Sequence, residues 1–324
     1  MSNEFSHLNT VMHGDCREKM GLIPDDYVAV SVWSPPYFVG KKYEEYINNF
    51  DEWKELISVA ISKHYRIIKP GGYVVINIGD ILCYEDSSIP KFQTNVITGK
   101  KQKVTKEDIE KAQEENPTFS RYELADLLNC SEQTIQRRLE GVNVRGGKYA
   151  NETKVKQISG LIEEWAEDAG FFIKDSRHWI KDAAWANSKW VGSQFKAVDE
   201  IEHIFFLWKP GETVYDRNRL TKEEWTEWGD RQRWHMKSVR ANDDHEAKFP
   251  IELPRRVIKM LTNRGDVVLD PFIGSGTTGC AAKELGRNWI GIEREKDYCD
   301  LTTQNVSSTK YSELTGSFQS RLDV

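Results

Sequence analysis

One stretch near the C-terminus, Val268-Leu269-Asp270-Pro271-Phe272-Ile273-Gly274-Ser275-Gly276-Thr277-Thr278-Gly279, restricts the fold more than any other. The apolar run Val267-Val268-Leu269 reads as a buried strand that ends in a glycine turn and opens into a helical stretch, Thr278 to Leu285. Glycines at such a turn let backbone approach a ligand, and the helix N-terminus offers free N–H groups to an anion. The pattern Gly274-x-Gly276-x-x-Gly279 also fits a dinucleotide fingerprint. A second strand, Trp289-Ile290-Gly291-Ile292, ends at Glu293, an acid placed to accept hydrogen bonds from ribose hydroxyls. The glycines alone are equally a tight strand-to-helix turn without a ligand; with Asp270 and Glu293 they point to a nucleoside-bearing one. A nucleotide-binding sheet normally begins with this turn and adds strands after it. Here only helical and then polar chain follows Glu293. The missing strands must come from the N-terminal part, so an α/β, Rossmann-like sheet in circularly permuted order is expected.

The N-terminal part supplies candidates. Thr10 to Asp15 reads as a short strand ending at Gly14-Asp15, and a helical turn follows over Arg17 to Leu22. Tyr27 to Trp33, rich in β-branched residues, is a second strand that stops at Ser34-Pro35-Pro36-Tyr37. The two are expected to be neighbours in a parallel sheet. Ligands bind at the C-terminal strand ends of such sheets, which would put Asp15 and Ser34 in one crevice with the glycine turn. Phe50 to Ile68 shows helical periodicity, stopped by Lys69-Pro70-Gly71-Gly72, and Tyr73 to Asp80 is a buried strand with a polar end.

Composition shifts between about Leu82 and Asn151, which is polar and charged with few strand signals. Three helices are expected there: Thr105 to Glu115, Tyr122 to Leu128 behind the capping box Ser120-Arg121-Tyr122-Glu123, and Glu132 to Leu139 capped by Ser131. Leu124, Leu127, Leu128, Ile135 and Leu139 would bury between the last two, with Asn129 in a left-handed turn. The unit resembles a helix-turn-helix, whose exposed face would carry Gln133, Thr134, Arg137 and Arg138 toward a DNA major groove. The bland alternative is a helical hairpin with a solvated charged face.

The α/β pattern resumes with an amphipathic helix over Val155 to Ala169, strands over Phe171–Ile173 and Ser176–Ile180, and a strong strand over Ile201 to Trp208. Glu212 to Asp244 reads as irregular. Its cluster Arg231, Arg233, His235, Lys237 and Arg240 is a candidate phosphate or base contact surface, or else a solvated loop. Pro250 to Asn263 leads by a helix back to the glycine turn.

Composition excludes several classes. With 324 residues, 39% hydrophobic and 30% charged, the chain can bury a large core. It has no apolar run of membrane-spanning length and no basic-then-apolar N-terminus, so a cytoplasmic protein is expected. Its 5 cysteines form no CxxC pair, which indicates neither zinc nor a disulfide framework, and no metal is expected. A formal charge of -6 argues against bulk nucleic-acid binding but leaves room for a basic face.

Ser34-Pro35-Pro36-Tyr37 carries the chemistry. Two prolines lack N–H groups and fix φ, and Pro36 holds Pro35 extended. The rigid turn presents the Pro35 carbonyl and the Ser34 hydroxyl, a pair of acceptors suited to a planar NH2 group. Two hydrogen bonds would draw its lone pair out of ring conjugation, and Tyr37 would stack on the ring.

Ser-Pro-Pro-Tyr after one strand and Asp-Pro-Phe-x-Gly-x-Gly-Thr-Thr after a later one resemble the S-adenosylmethionine-dependent amino-methylating DNA methyltransferases, in the permuted order of their beta subgroup. His245-Glu246-Ala247-Lys248-Phe249-Pro250 is similar to a further segment of that family, as is the Gly14-Asp15 strand end. The similarity covers roughly 10–80 and 155–310 and leaves out the helical insert. It implies that Asp270, Phe272, Gly274, Gly276 and Thr277 line the methionine end of the cofactor, beside Phe249 and Pro250. Glu293 would hold the ribose, and Asp15 would meet the adenine. Ser34, Pro35, Pro36 and Tyr37 would hold the amine of a base flipped from double-stranded DNA.

The resemblance implies methylation of cytosine N4, since Ser-Pro-Pro-Tyr is commoner among those enzymes, with adenine N6 as the near alternative. Cytosine C5 chemistry needs a Pro-Cys dipeptide, which the chain lacks. A NAD-dependent oxidoreductase fits the glycines but not Ser34–Tyr37, and a helix-turn-helix regulator fits the insert but not the two motifs. The division expected is a catalytic half over 1–84 and 153–211, a helical insert over 85–152, a candidate target-recognition segment over 212–244, a cofactor-binding half over 245–310 and a tail over 311–324. Whether a cognate restriction endonuclease accompanies the protein, and whether it acts as monomer or homodimer, stays open.

Overall fold

The computed structural model describes residues 5–38, 44–85, 104–140, 153–181, 200–239 and 249–311. In chain order the described elements are β1 (Thr10–His13), α1 (Cys16–Lys19), β2 (Val28–Trp33), α2 (Phe50–Ile67), β3 (Ile68–Ile78), β4 (Ile81–Glu85), α3 (Lys106–Glu115), α4 (Arg121–Leu127), α5 (Glu132–Glu140), β5 (Thr153–Lys156), α6 (Ser159–Ala169), β6 (Phe172–Ile180), β7 (Ile201–Trp208), α7 (Lys222–Glu224), β8 (Arg233–His235), α8 (Glu252–Leu261), β9 (Val267–Asp270), α9 (Thr277–Glu284), β10 (Asn288–Glu293) and α10 (Lys296–Ser308). They group into two compact units. One holds Met1–Ile81, Gln157–Ala186 and Asp199–Val324; the other holds Leu82–Lys156 and Asn187–Val198.

The first unit is built on an eight-stranded sheet in the order β1-β10-β9-β2-β3-β7-β6-β8. From β1 to β3 every pairing is parallel; β7 runs antiparallel to β3 and β6, and β8 is parallel to β6. A parallel sheet covered on both faces needs apolar side chains both ways, and all four residues of β9 and five of the six in β2 are buried. The sequence puts β1 beside β2. They are parallel members of one sheet, but β9 and β10 from the far end of the chain lie between them. No short connection shows this, because β1 pairs with β10 and β2 with β9 across more than two hundred residues.

Other local readings change in detail. Lys69-Pro70-Gly71-Gly72 does end α2, yet the chain passes straight into β3, whose register against β2 shifts between the Val28 and Val30 pairings. Gly71 takes φ +81°, where a Cβ would lie 2.0 Å from the Glu212 carbonyl. The two strands read over 171–180 are one, β6, bent by an irregularity between Ile173 and Asp175. The helix read from Val155 starts at Ser159, because Thr153–Lys156 is extended. Within 212–244, β8 forms an edge strand in which Arg233 and His235 face out and Trp234 faces in.

α2 is amphipathic, capped by Asn49, and buries Trp53, Leu56, Ile57, Ala60, Ile61 and His64. His64 anchors it: Nδ1 bonds the Ala60 carbonyl at 2.7 Å, and Nε2 stands 2.8 Å from the Ser31 hydroxyl inside β2. Complete burial drives its pKa down to about 4, so it packs as the neutral ring.

In the second unit β4 and β5 form a two-stranded sheet. α3, α4 and α5 enclose a core of Val104, Ile109, Ala112, Leu124, Ala125 and Ile135. Asn129 has the left-handed φ of +48° expected between α4 and α5, and the Ser120–Glu123 capping box is formed. Leu127, expected in this core, is 53% exposed. Ile109 and Ala112 of α3 fill the space instead, because the unit packs three helices rather than two.

Candidate active site

The C-terminal ends of β1, β10, β9, β2 and β3 lie along one sheet edge, and the antiparallel β7 begins there. β9 and β2 are neighbours, with Leu269 opposite Ser31. The two sequence motifs that leave these strands are therefore side by side. The ring of Trp33 lies 5.3 Å from that of Phe272, and the Thr278 hydroxyl reaches the Val32 carbonyl at 3.3 Å.

Ser34-Pro35-Pro36-Tyr37 is pinned from three directions. The indole of Trp53 on α2 donates to the Pro36 carbonyl at 2.6 Å, and the Tyr37 N–H donates to the buried Glu44 carboxylate at 2.9 Å. The Tyr37 hydroxyl donates to Glu202 Oε2 at 2.7 Å, and the Ser34 hydroxyl donates to Tyr37 Oη at 2.8 Å. Asn77 Nδ2 completes the cluster, donating to Tyr37 Oη at 3.0 Å and to Glu202 Oε2 at 2.6 Å. Lys181 pairs with the other Glu202 oxygen at 3.2 Å. No described residue donates to the Pro35 carbonyl. Asn77 is 1% exposed and its Oδ1 has no hydrogen-bond partner among the described residues. Glu202 fixes the amide with its nitrogen inward, and an unmade buried bond of this kind costs about 1–3 kcal/mol.

Sequence reading finds the four motif residues but not Asn77, Glu202, Lys181 or Trp53. Asn77 leaves a trace as the polar end of an apolar strand. Glu202 leaves none beyond an acid in an otherwise apolar strand.

At the end of β9, Asp270 is 2% exposed. It accepts from the Phe272 N–H at 3.0 Å and forms no ion pair among the described residues. Burial pushes its pKa up to about 7. Glu293 accepts from Gly274 N–H and Glu295 N–H, each at 2.9 Å, and burial raises it too. Gly274 and Gly276 take φ of +52° and +90°. A Cβ on Gly276 would meet Thr302 of α10, with Cγ2 at 3.1 Å and Cα at 3.2 Å. The constraint on Gly276 is thus its backbone conformation and helix packing, where sequence reasoning looks to crowding of a ligand. Gly279 serves a similar end, its Cβ position lying 3.0 Å from Val306 and 3.3 Å from Trp289.

Thr277 opens α9, and Phe249 and Pro250 precede α8, with Phe249 packed on the core. The preceding His245–Lys248 lie outside the described residues. Asp15 caps α1 and holds Arg17 through both oxygens, at 3.0 and 2.6 Å. The Arg17 guanidinium keeps its carboxyl below the usual range. A residue that sequence reasoning passes over stands close by: Tyr46, whose ring carries the Arg294 guanidinium at 3.8 Å.

Of the DNA-contact candidates, Arg138 is exposed and Thr134 half-buried on α5. The side chains of Gln133 and Arg137, and all of Arg240, lie outside the described residues. Arg231 is exposed but donates to the Thr226 carbonyl at 3.0 Å; Arg233 projects from β8. Trp33, Trp53, Trp179, Trp228, Trp234 and Trp289 are buried, so these six are core residues.

Residues 28–304 match the family model described as DNA methylase, N6_N4_Mtase. The type II methyltransferase M.BglI of Bacillus subtilis is 51% identical over 308 residues, covering 94% of this chain and 88% of that one. The chain belongs to the DNA methylase family. It is a DNA methyltransferase of the N4/N6 amino group. More distant is the type II methyltransferase M.MjaI of Methanocaldococcus jannaschii, 27% identical across 94% of this methyltransferase and 93% of its own length. Solved structures share the fold. The PvuII DNA methyltransferase (cytosine-N4-specific) superposes with a TM-score of 0.59 at 18% identity, over 94% of this chain and 90% of that one. A DNA modification methylase of Thermus thermophilus, complexed with S-adenosyl-L-methionine, gives 0.58 at 23%, over 94% and 96%. Among the described residues of the methyltransferase, no helix is long and apolar enough to cross a membrane.

Proposed function

We propose that the methyltransferase acts on the exocyclic N4 of a cytosine flipped out of double-stranded DNA, with S-adenosylmethionine as methyl donor. The observation that carries the reading is the pinned Ser34–Tyr37 turn beside the β9 turn. It presents a neutral hydroxyl and the Pro35 carbonyl at the end of β2, beside β9, whose own end carries the buried Asp270 carboxylate. The cofactor fits the second crevice. Among the described residues Asp270 has no ion pair, which an ammonium would supply, Glu293 offers acceptors for hydroxyls, and positive-φ glycines keep side chains out of the turn. When bound, the sulfonium supplies an activated methyl and a neutral leaving group, so Ser34 and Pro35 need only orient the amine in line with it and withdraw its lone pair from the ring. Asp15, Phe249 and Pro250 belong to the same cofactor region.

The cytosine assignment rests on the resemblance of Ser34-Pro35-Pro36-Tyr37 to the N4-cytosine enzymes, since a serine and an aspartate could each accept an amine proton there. DNA recognition is assigned to α5, with Gln133, Thr134, Arg137 and Arg138, and to segment 212–244, with Arg231, Arg233 and Arg240. Its relatives are named type II methyltransferases, which supports a cognate endonuclease as companion. DNA incubated with the protein and isotopically labelled donor, then digested to nucleosides, should contain N4-methylcytosine and no 5-methylcytosine. N6-methyladenine as the only product would overturn the cytosine assignment and leave amino methylation standing.

A further inference from the structure

We propose that Glu202 is a positioning residue at the end of a proton relay, Ser34–Tyr37–Glu202, which makes Ser34 a pure acceptor and takes the proton that the amine sheds. The proposal rests on amino methylation as the reaction.

The direction of the relay follows from the inventory of protons. A carboxylate only accepts, so the single Tyr37 hydroxyl proton goes to Glu202 Oε2, 2.7 Å away. This charge-assisted bond outweighs the longer contact to the Asn77 carbonyl at 3.3 Å. Asn77 Nδ2 spends its two protons on Glu202 Oε2 and Tyr37 Oη. Tyr37 Oη then has one acceptor position left, and the Ser34 hydroxyl fills it at 2.8 Å. With its only proton committed inward, Ser34 Oγ keeps lone pairs alone for the target amine. An isolated serine could equally donate toward the amine's lone pair, which would oppose attack. Chained hydrogen bonds ending on a carboxylate also polarise Ser34 toward the acceptor strength of an anion. Lys181, 3.2 Å from Glu202 Oε1, orients that carboxylate from its far side.

The same chain disposes of a proton. The amine nitrogen forms its bond to the methyl carbon while the carbon–sulfur bond breaks and its electron pair stays on sulfur. The nitrogen then carries one proton too many. That proton passes to Ser34 Oγ as the Ser34 proton moves to Tyr37 Oη and the Tyr37 proton to Glu202 Oε2. The products are a secondary amine, a neutral thioether and a protonated Glu202, which releases its proton to solvent before the next cycle.

Glu202→Gln and Tyr37→Phe test the relay in single-turnover experiments on duplexes carrying 2-aminopurine beside the target. Each variant should lower the methyl-transfer rate at least about tenfold, while calorimetric S-adenosylmethionine affinity and the 2-aminopurine flipping signal stay within twofold. The double variant should be no slower than the slower single one. Ser34→Asp placed in the Glu202→Gln background should recover rate, because a carboxylate needs no proton removed to act as acceptor. Tyr37→Phe leaves the Asn77 and Lys181 bonds to Glu202 intact, so it reads the relay even if Glu202→Gln folds poorly. Unchanged rates in both single variants, multiplicative losses in the double, or loss of cofactor binding together with rate would overturn the relay while wild-type methylation continues. Absence of amine methylation by the wild type would instead overturn the reading beneath it.

Discussion

The crevice proposed for the cofactor and the one proposed for the base end neighbouring strands, yet they are assembled in opposite ways. The first is largely local. Asp270 is bonded two residues on at Phe272, Gly276 three residues back at Ile273, and the turn's links to Glu293 and Asn305 span nineteen and thirty; the Thr278 bond to Val32 is its long-range tie. The second is long-range. Tyr37 bonds Asn77 and Glu202 across sequence separations of 40 and 165, and Asn77 bonds Glu202 across 125. A local turn is a motif that any copy of the sequence displays. A cluster gathered from three strands exists only when the sheet is complete, so the base crevice should be the more sensitive to distant change.

The contrast is broken most strongly at Ser34. Ser34→Ala should reduce turnover roughly 10²–10³-fold, the range for losing one positioned polar group at a reacting centre, with cofactor affinity unchanged by calorimetry. A parallel loss of affinity would mean the crevices are one coupled site. Gly276→Val is the converse test. It forces a β-branched residue to φ +90° against Thr302, which should cost about 1–3 kcal/mol in thermal or denaturant unfolding and abolish cofactor binding. Unchanged stability would contradict the packing account of this glycine.

A smaller effect follows from Asp270. Its pKa stands at about 7, above the ordinary 3.8. Between these values the folded state keeps a proton that the unfolded chain has lost, so this group makes the unliganded protein less stable as pH rises through that window. An ammonium binds only the ionised carboxylate, whose population grows from about a tenth at pH 6 to about nine-tenths at pH 8. S-Adenosylmethionine affinity should therefore rise about tenfold over that range, and Asp270→Asn should flatten the profile. His64 acts oppositely on stability. Its folded pKa of about 4 lies below the ordinary 6.5, so its contribution is present above pH 6.5 and lost as pH falls toward 4. Smallest of all, Arg138→Ala and Arg233→Ala should each lower the salt slope of DNA binding by about 1 if they meet phosphate, without changing cofactor affinity. Unaltered binding isotherms would move recognition elsewhere on the chain.

This division also explains what the sequence discloses. Asp270, the glycine turn, Glu293 and Ser34–Tyr37 are contiguous patterns whose backbone demands are written in proline and glycine. Strand neighbours are not. Nothing near Thr10 indicates that β10 will pair with it, so β1 and β2 read as adjacent. Asn77 and Glu202 look like ordinary polar residues at strand ends until the β3–β7 pairing of Ile78 with His203 brings them together. Leu127 reads as core because two helices seem enough, and only the third helix, supplying Ile109 and Ala112, shows otherwise.

The two proposed crevices should meet over one amine. A crystal structure of the protein with its duplex and a non-transferable S-adenosylmethionine analogue tests it directly. The expected result is a flipped cytosine whose N4 lies within hydrogen-bond distance of both Ser34 Oγ and the Pro35 carbonyl, with the analogue's ammonium on Asp270. A target base left in the helix, or an amine held by other residues, would contradict it.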